Sequence, residues 1–344
     1  MSTKPKYLLG VDGGNSKTDY LLCRANGDFV DILRCPTCSH EAFKDSYDGM
    51  EAAMKSHLDQ LFRRNNIAVG DIAMGAFGLA GADLPGQIDE LNKRVARLGF
   101  NRFVLANDGI LGVKAMAKSG VCAINGAGTV IVGIDDSGEM LQVGGIGHIS
   151  GDYAGGGHIM RTGVSAVYNY FYRIGTQSAI VPKILEILKV TEPANLPPTI
   201  SNNRLLIQNM TEIITVIDEA ALGGDDVARR ILDDTGVNVA EGVCGCIRNL
   251  AFDGSHVTVI MAGSIWNKIK YPGMMDSFKA TVSANAPIPC QFELLQAPPA
   301  LGAIFWAREI YDNTEDIEPY RKKMLDFLTL QRYDELVKGV IFCQ

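Results

Sequence analysis

No apolar run in this 344-residue chain reaches the roughly 18 residues that a membrane-spanning helix needs. The opening MSTKPKY has no apolar core of the kind a signal peptide carries, so the expected location is the cytoplasm, with no membrane partner. Basic charge is short as well: 32 Lys and Arg against 39 Asp and Glu leave a net charge of −7, with a pI of about 5.3. A nucleic-acid binder would carry a basic stripe, so no nucleic-acid partner is expected. Paired metal motifs are missing too. Cys35-Pro-Thr-Cys38 has the spacing of half a zinc site, but no second CxxC or HxxxH follows it. The eight cysteines, Cys23, Cys35, Cys38, Cys122, Cys244, Cys246, Cys290 and Cys343, are scattered and mostly lie in apolar segments. In a cytosolic chain that pattern reads as reduced, buried thiols.

What is plentiful is glycine, whose 37 residues exceed the usual share of about 7%. An apolar content of 47% with 21% charge describes a globular chain, and the length suffices for two domains. The glycines gather in loops between apolar runs. Tyr7 to Val11 reads as a buried strand, Asp12 ends it, and Lys17 to Cys23 returns as a second strand. Gly13 and Gly14 permit backbone torsions that a Cβ resists. Such a turn would aim N–H groups and the hydroxyls of Ser16 and Thr18 at a phosphate, with Asp12 facing a Mg²⁺ that arrives with it. An ordinary Asp-Gly hairpin remains the alternative for this stretch alone. Val121 to Asp135 repeats the plan around Gly126-Ala127-Gly128-Thr129, and two such hairpins about a hundred residues apart suggest a duplicated fold.

Between and after the hairpins, strands alternate with helices, which argues for α/β lobes. Asp28 to Leu33 reads as a strand and Asp45 to Asn65 as an amphipathic helix with Met50, Met54, Leu58, Leu61 and Phe62 on one face. Ile72 to Leu79 is a strand leading into Ala80-Gly81-Ala82-Asp83, and Gln87 to Leu98 a helix closed by Gly99. Phe103 to Ala106 delivers Asn107 and Asp108 to the carboxyl end of a short strand, where ligands gather in such folds. A carboxylate there could take a hydroxyl proton during phosphoryl transfer, or could cap a helix from Ile110 to Lys118. Later helices are read at Ile159 to Phe171, Ile180 to Val190, Arg204 to Ala221, Asp225 to Leu250 and from Pro299 to Ile310. Glu192 to Asn203 reads as a surface connection, Val257 to Met261 and Phe292 to Leu294 as strands, and the tail as a further amphipathic helix.

The segments GVDGGNSKTD (10–19), ND (107–108), INGAGTV (124–130), GGIGHISGD (144–152) and MAGS (261–264) together resemble the actin-like sugar kinase and Hsp70 superfamily. Within it the chain looks most like the BadF/BadG/BcrA/BcrD-type ATPases, which include N-acetylglucosamine kinase and its relatives. The resemblance implies a duplicated, two-lobed actin-like (ribonuclease H-like) α/β fold with the nucleotide in the cleft between lobes. The expected lobes are 1–119 and 120–310, followed by a helical tail, 311–344. It implies ATP and Mg²⁺ as cofactors, a sugar as substrate and a homodimer. Asp108 would be the catalytic base and Asp12 the Mg²⁺ residue. The backbone at Gly13, Gly14, Asn15, Ser16, Lys17 and Thr18, with Gly126, Ala127, Gly128 and Thr129, would hold phosphates. Gly263 and Ser264 would pass beside adenosine. Ser39, His40, Ala80, Gly81, Asn107, Gly145 and Asp152 would bind the sugar. Departures fall around the acceptor: Ser39-His40 replaces an Asn-His pair, Tyr153-Ala154 replaces Glu-Gly, and Ala127 removes a hydroxyl. The expected reaction is transfer to an amino-sugar hydroxyl, the 6-hydroxyl of N-acetylglucosamine first among them. The alternatives are an ATPase that drives a 2-hydroxyacyl-CoA dehydratase or benzoyl-CoA reductase, with Cys122 as a bridging cluster ligand, and a nucleotide or sugar sensor without turnover.

Overall fold

The computed structural model describes residues 6–313 and 317–338. Cys343 and the end of the expected tail lie outside the described residues. The contacts divide the chain into two units, one made of residues 1–120 with 295–344 and one of 121–294.

The first unit is built on a sheet of β1 (Tyr7–Gly13), β2 (Lys17–Arg24), β3 (Phe29–Pro36), β4 (Ile72–Leu79) and β5 (Phe103–Ala106), in the order β3-β2-β1-β4-β5. Short turns make β1, β2 and β3 antiparallel neighbours, whereas β4 and β5 arrive through helices and pair in parallel. The run YLLGV carries no alternation because β1 is central and covered on both faces, with Leu8, Leu9 and Val11 fully buried. One face is covered by the helix Tyr47–Asn65 through Met50, Met54, Leu58, Leu61 and Phe62. The helix Pro299–Asp312 packs against β1, β4 and the helix Ile110–Met116; every residue from Ala300 to Ala307 is buried.

The second unit repeats the plan with β6 (Gly120–Asn125), β7 (Thr129–Ile134), β8 (Met140–Gly144), β9 (Val257–Ala262) and β10 (Cys290–Leu294), ordered β10-β9-β6-β7-β8. Counted from the start of each unit, both sheets read third, second, first, fourth, fifth. The duplication suggested by the two hairpins is thus present in the strand order.

Differences from the sequence reading have local causes. The contacts group helix Pro299–Asp312 with the first unit, so the division falls at Leu294 and not at residue 310. Strand β8 was not anticipated: its five residues are mostly half-buried and lack a clean apolar pattern. The helix expected from Ile159 begins at Gly155, because its glycine-rich first turn is held by tertiary bonds from Gly156 N to Gly126 O and Gly157 N to Ala127 O. A helix at Gly273–Asn285 was also missed, and the proline-rich connection contains a short helix, Leu196–Ile200.

Candidate active site

In the first unit, β1, β3, β4 and β5 run in the same direction, so their carboxyl ends share one edge of the sheet. That edge gathers Asp12 to Gly14, residues 37–40, Ala80 to Asp83, and Asn107 with Asp108. The pieces are cross-linked: Ala80 N donates to Gly13 O (2.7 Å), Thr37 Oγ1 to Gly14 O (2.8 Å), and Asn107 Nδ2 to Asp83 Oδ1 (2.8 Å).

Asp108 does not cap the following helix. That helix starts at Ile110, and the Gly109 N–H is accepted by Asn107 Oδ1 at 2.8 Å. The Asp108 carboxyl is pushed up to about 7, first by burial, then by the negative charges of Asp12 and Asp83. Asp12 is pushed up to about 6 by burial, against the pull of Lys17. A Cβ placed on Gly14 would sit 3.6 Å from Asp108 Oδ2, so the first hairpin lies directly beside this carboxyl.

Two expectations about the hairpin change. Gly13 and Gly14 do not adopt left-handed torsions; Gly13 is closely packed, and a Cβ there would meet Leu79 Cδ2 at 2.7 Å and make that side chain shift. The Thr18 hydroxyl does not face the phosphate space, being fully buried and bonded to Cys38 N (3.0 Å) and Sγ (3.2 Å). Asn15 and Ser16 are exposed at the tip. Lys17 pairs with Asp19 and stands 3.9 Å from Asp12 Oδ2. Ser39 and His40 are buried, yet Ser39 Oγ and His40 Nδ1 have no hydrogen-bond partner among the described residues. The His40 ring stacks on Tyr47 at 4.3 Å and abuts Gly81, so its plane is fixed.

In the second unit, the carbonyls of Gly126 and Ala127 accept the first N–H groups of helix Gly155–Tyr172, and Asn125 Oδ1 accepts Gly155 N at 2.9 Å. Space is open above Gly126 and Gly128, where a Cβ would meet nothing within 4 Å. The Thr129 hydroxyl points inward to Ile124 O (3.0 Å). Gly263 has φ +102 and a Cβ there would lie 2.4 Å from Asn125 O, so the β9 turn can sit against the hairpin only as glycine. Beside them opens a cavity of about 340 Å³ lined by Gly126, Ala127, Ile214, Ser264, Ile265 and Lys268 among others. Its apolar wall with a few polar groups suits a heterocyclic base.

Asp152 is engaged by its own loop, accepting from Gly147 N (2.6 Å) and Ser150 Oγ (2.9 Å), and it lines a separate cavity of about 310 Å³ with Thr129, Val143, Tyr153 and Glu241. Gly145 lies in the same loop with φ +82. The His148 and His158 rings are 6.2 Å apart, and His158 is bonded to Thr162. Cys122 is fully buried within β6, which removes it as a ligand shared between subunits.

Several residues of this architecture were not singled out in the sequence. Asn125 ties the second hairpin to a helix, and Asp83 anchors Asn107. Asp19 and Arg34 form a bidentate pair across β2 and β3 (2.7 and 2.8 Å). Only their partners in space, far away in the chain, reveal them.

The sequence model of the BadF/BadG/BcrA/BcrD ATPase family matches residues 9–307. The chain belongs to that family. Among relatives of this BadF/BadG-type ATPase is the N-acetylmuramic acid/N-acetylglucosamine kinase of Clostridium acetobutylicum, 22% identical over 311 residues, covering 89% of this chain and all of the relative. A solved structure described as an N-acetylglucosamine kinase, from Chromobacterium violaceum, superposes with a TM-score of 0.63 at 17% identity, over 88% of this chain and 99% of that one. A ROK-family transcriptional regulator, a homologue of the E. coli MLC protein, reaches 0.58 at 12% identity, over 97% and 82% of the two chains. Likeness of this degree fixes the two-lobed α/β fold of the BadF/BadG-type ATPase and not its reaction. Membership implies ATP, and the open hairpin faces and base-sized cavity fit it. Asp12 fits a hard cation carried by the nucleotide: it is an oxygen donor whose raised pKa a Mg²⁺ would bring down. Among the described residues, no helix is long and apolar enough to cross a membrane.

Proposed function

We propose that this protein is an ATP-dependent sugar kinase acting on a hydroxyl of an amino sugar, with the 6-hydroxyl of N-acetylglucosamine as the first acceptor to test. The observation that carries this reading is the Asp108 carboxyl, not engaged as a helix cap, raised to about 7 and lying against the first glycine hairpin. A base poised near neutrality is what deprotonation of an attacking alcohol requires. The sugar oxygen attacks the γ-phosphorus, the bond to the ADP oxygen breaks, and the hydroxyl proton passes to Asp108. The backbone around Gly13 to Lys17 and Gly126 to Thr129 would hold phosphates, while Gly263 and Ser264 would flank the adenosine. Mg²⁺ near Asp12 would supply charge neutralisation.

The unpartnered Ser39 Oγ and His40 Nδ1 support a polar acceptor on the same edge, because buried polar atoms without partners are rare in proteins. Ala80, Gly81 and Asn107 shape that edge, and Asp152 and Gly145, in a loop of the second unit, are the further candidates for binding a sugar. The names of the kinase relatives support the same acceptor class.

The test is ADP release from Mg²⁺-ATP with glucose, glucosamine, N-acetylglucosamine, N-acetylmannosamine and N-acetylmuramic acid, run beside Asp108→Asn. Stimulation by one sugar that the variant abolishes supports the kinase and the base together. Turnover indifferent to sugar, or nucleotide binding without turnover, would overturn it in favour of an ATPase or a sensor.

A further inference from the structure

The family match ends at residue 307, and the Clostridium relative is covered in full by 89% of this chain. The helices Glu318–Phe327 and Leu330–Lys338 therefore lie beyond the family match. Both are nevertheless tied into the first unit by buried polar side chains. Arg321, 4% exposed, donates from Nη1 to Lys114 O (2.7 Å), at the far end of the helix that follows Asp108. Tyr333, 3% exposed, donates its hydroxyl to Asp19 Oδ2 (2.9 Å) beneath the first hairpin.

We propose that this C-terminal extension is a positioning element for the nucleotide, in which Tyr333 acts through Asp19 to set how readily Lys17 can reach a phosphate. The inference rests on reading the first hairpin as a phosphate site. Asp19 is fully buried, and its Oδ2 receives three donors: Arg34 Nη2 at 2.8 Å, the Tyr333 hydroxyl at 2.9 Å, and Lys17 Nζ. Oδ1 receives Arg34 Nε at 2.7 Å. A buried carboxylate must keep donors, so its hold on Lys17 depends on what else it has. With Arg34 and Tyr333 both in place, Asp19 stays satisfied when Lys17 leaves it for a nucleotide phosphate. Without the Tyr333 hydroxyl, Lys17 carries more of that duty and is retained. The Arg34 guanidinium also lies 5.9 Å from the Tyr333 ring centre, so the ring braces the one donor that remains. Space filling alone would need only a phenylalanine. The hydroxyl is the informative atom.

The experiment compares wild type, Tyr333→Phe, Lys17→Met and the double variant in the full chain, reading KM and kcat for Mg²⁺-ATP, Kd for Mg²⁺-ATP, and the melting temperature. Phenylalanine keeps the ring against Arg34, so the variant is expected to fold. Tyr333→Phe should raise KM and Kd for ATP about three- to ten-fold, the size of one lost hydrogen bond, with kcat within about two-fold. In the Lys17→Met background the same change should do nothing further, because the relay has lost its end. An unchanged Tyr333→Phe enzyme, or an equal effect in both backgrounds, overturns the relay while leaving the phosphate site standing. A wild type that does not bind Mg²⁺-ATP overturns both.

Discussion

Replacing Asp108 by asparagine should abolish sugar-dependent ADP release and at the same time make the protein more stable above neutral pH. The carboxyl lies at 3.8 in the unfolded chain and at about 7 in the fold. A folded pKa raised above the unfolded one gives stability that is fully present below pH 3.8 and is lost as the pH rises through 7. At pH 8 the gap costs the ionised wild type about 4 kcal/mol, at about 1.4 kcal/mol for each pKa step of one. Asp108 is only partly buried, so water screens the charge and about half, 2 kcal/mol, is the working value. Asparagine has nearly the same shape, can accept the same N–H groups and carries no charge. Its advantage should be about 2 kcal/mol at pH 8, about 1 kcal/mol at pH 5.5, and nothing near pH 4. In a thermal melt of a chain this long that is about 3 °C at pH 8. Calorimetry across these pH values, beside the coupled ADP assay, reads both sides. An Asp108→Asn protein no more stable than wild type at pH 8, or one whose advantage ignores pH, would refute the electrostatic account of this residue. An active one would refute its role as base.

Because the base must be ionised in the free enzyme, kcat/KM for the sugar should fall about ten-fold per pH unit below about 7, which a pH–rate profile reads directly. The kcat limb should lie lower, since Mg²⁺ beside Asp12 favours the ionised carboxylates. Ser39→Ala should raise the KM of the sugar several-fold while leaving that of ATP and the melting temperature unchanged, because Ser39 Oγ has no partner to lose among the described residues. Gly263→Ala should cost about 3 kcal/mol or more in urea unfolding, from a Cβ 2.4 Å from Asn125 O at φ +102. Gly126→Ala meets open space, so it should leave stability almost unchanged and weaken ATP binding in calorimetric titration.

The periodic parts of the fold were legible in the sequence. The helix at Tyr47–Asn65 shows its buried stripe through Met50, Met54 and Leu58, and the two hairpins show themselves by glycine between apolar runs. What could not be read depends on partners distant in the chain. Gly155 to Gly157 look like loop until Gly126 and Ala127 supply acceptors for their N–H groups. Thr18 looks like a phosphate ligand until Cys38 is seen to take its hydroxyl. Asp108 looks like a cap until its helix is seen to start at Ile110 behind Gly109, with no side chain capping it. The register of the chain points at positions; the other end of each hydrogen bond decides what the position does.

Helix Pro299–Asp312 has a consequence for how the protein is made. It covers β1 but is itself synthesised after the whole of the second unit. A nascent chain that has completed Leu294 therefore holds every residue of the second unit, while the first sheet still lacks the helix that covers β1. The apolar surface there must stay out of aggregates for the time needed to translate more than half the chain, at roughly 5–20 residues per second. Stop codons early in the last helices should thus be felt as insolubility of the amino-terminal half, far in sequence from the lesion.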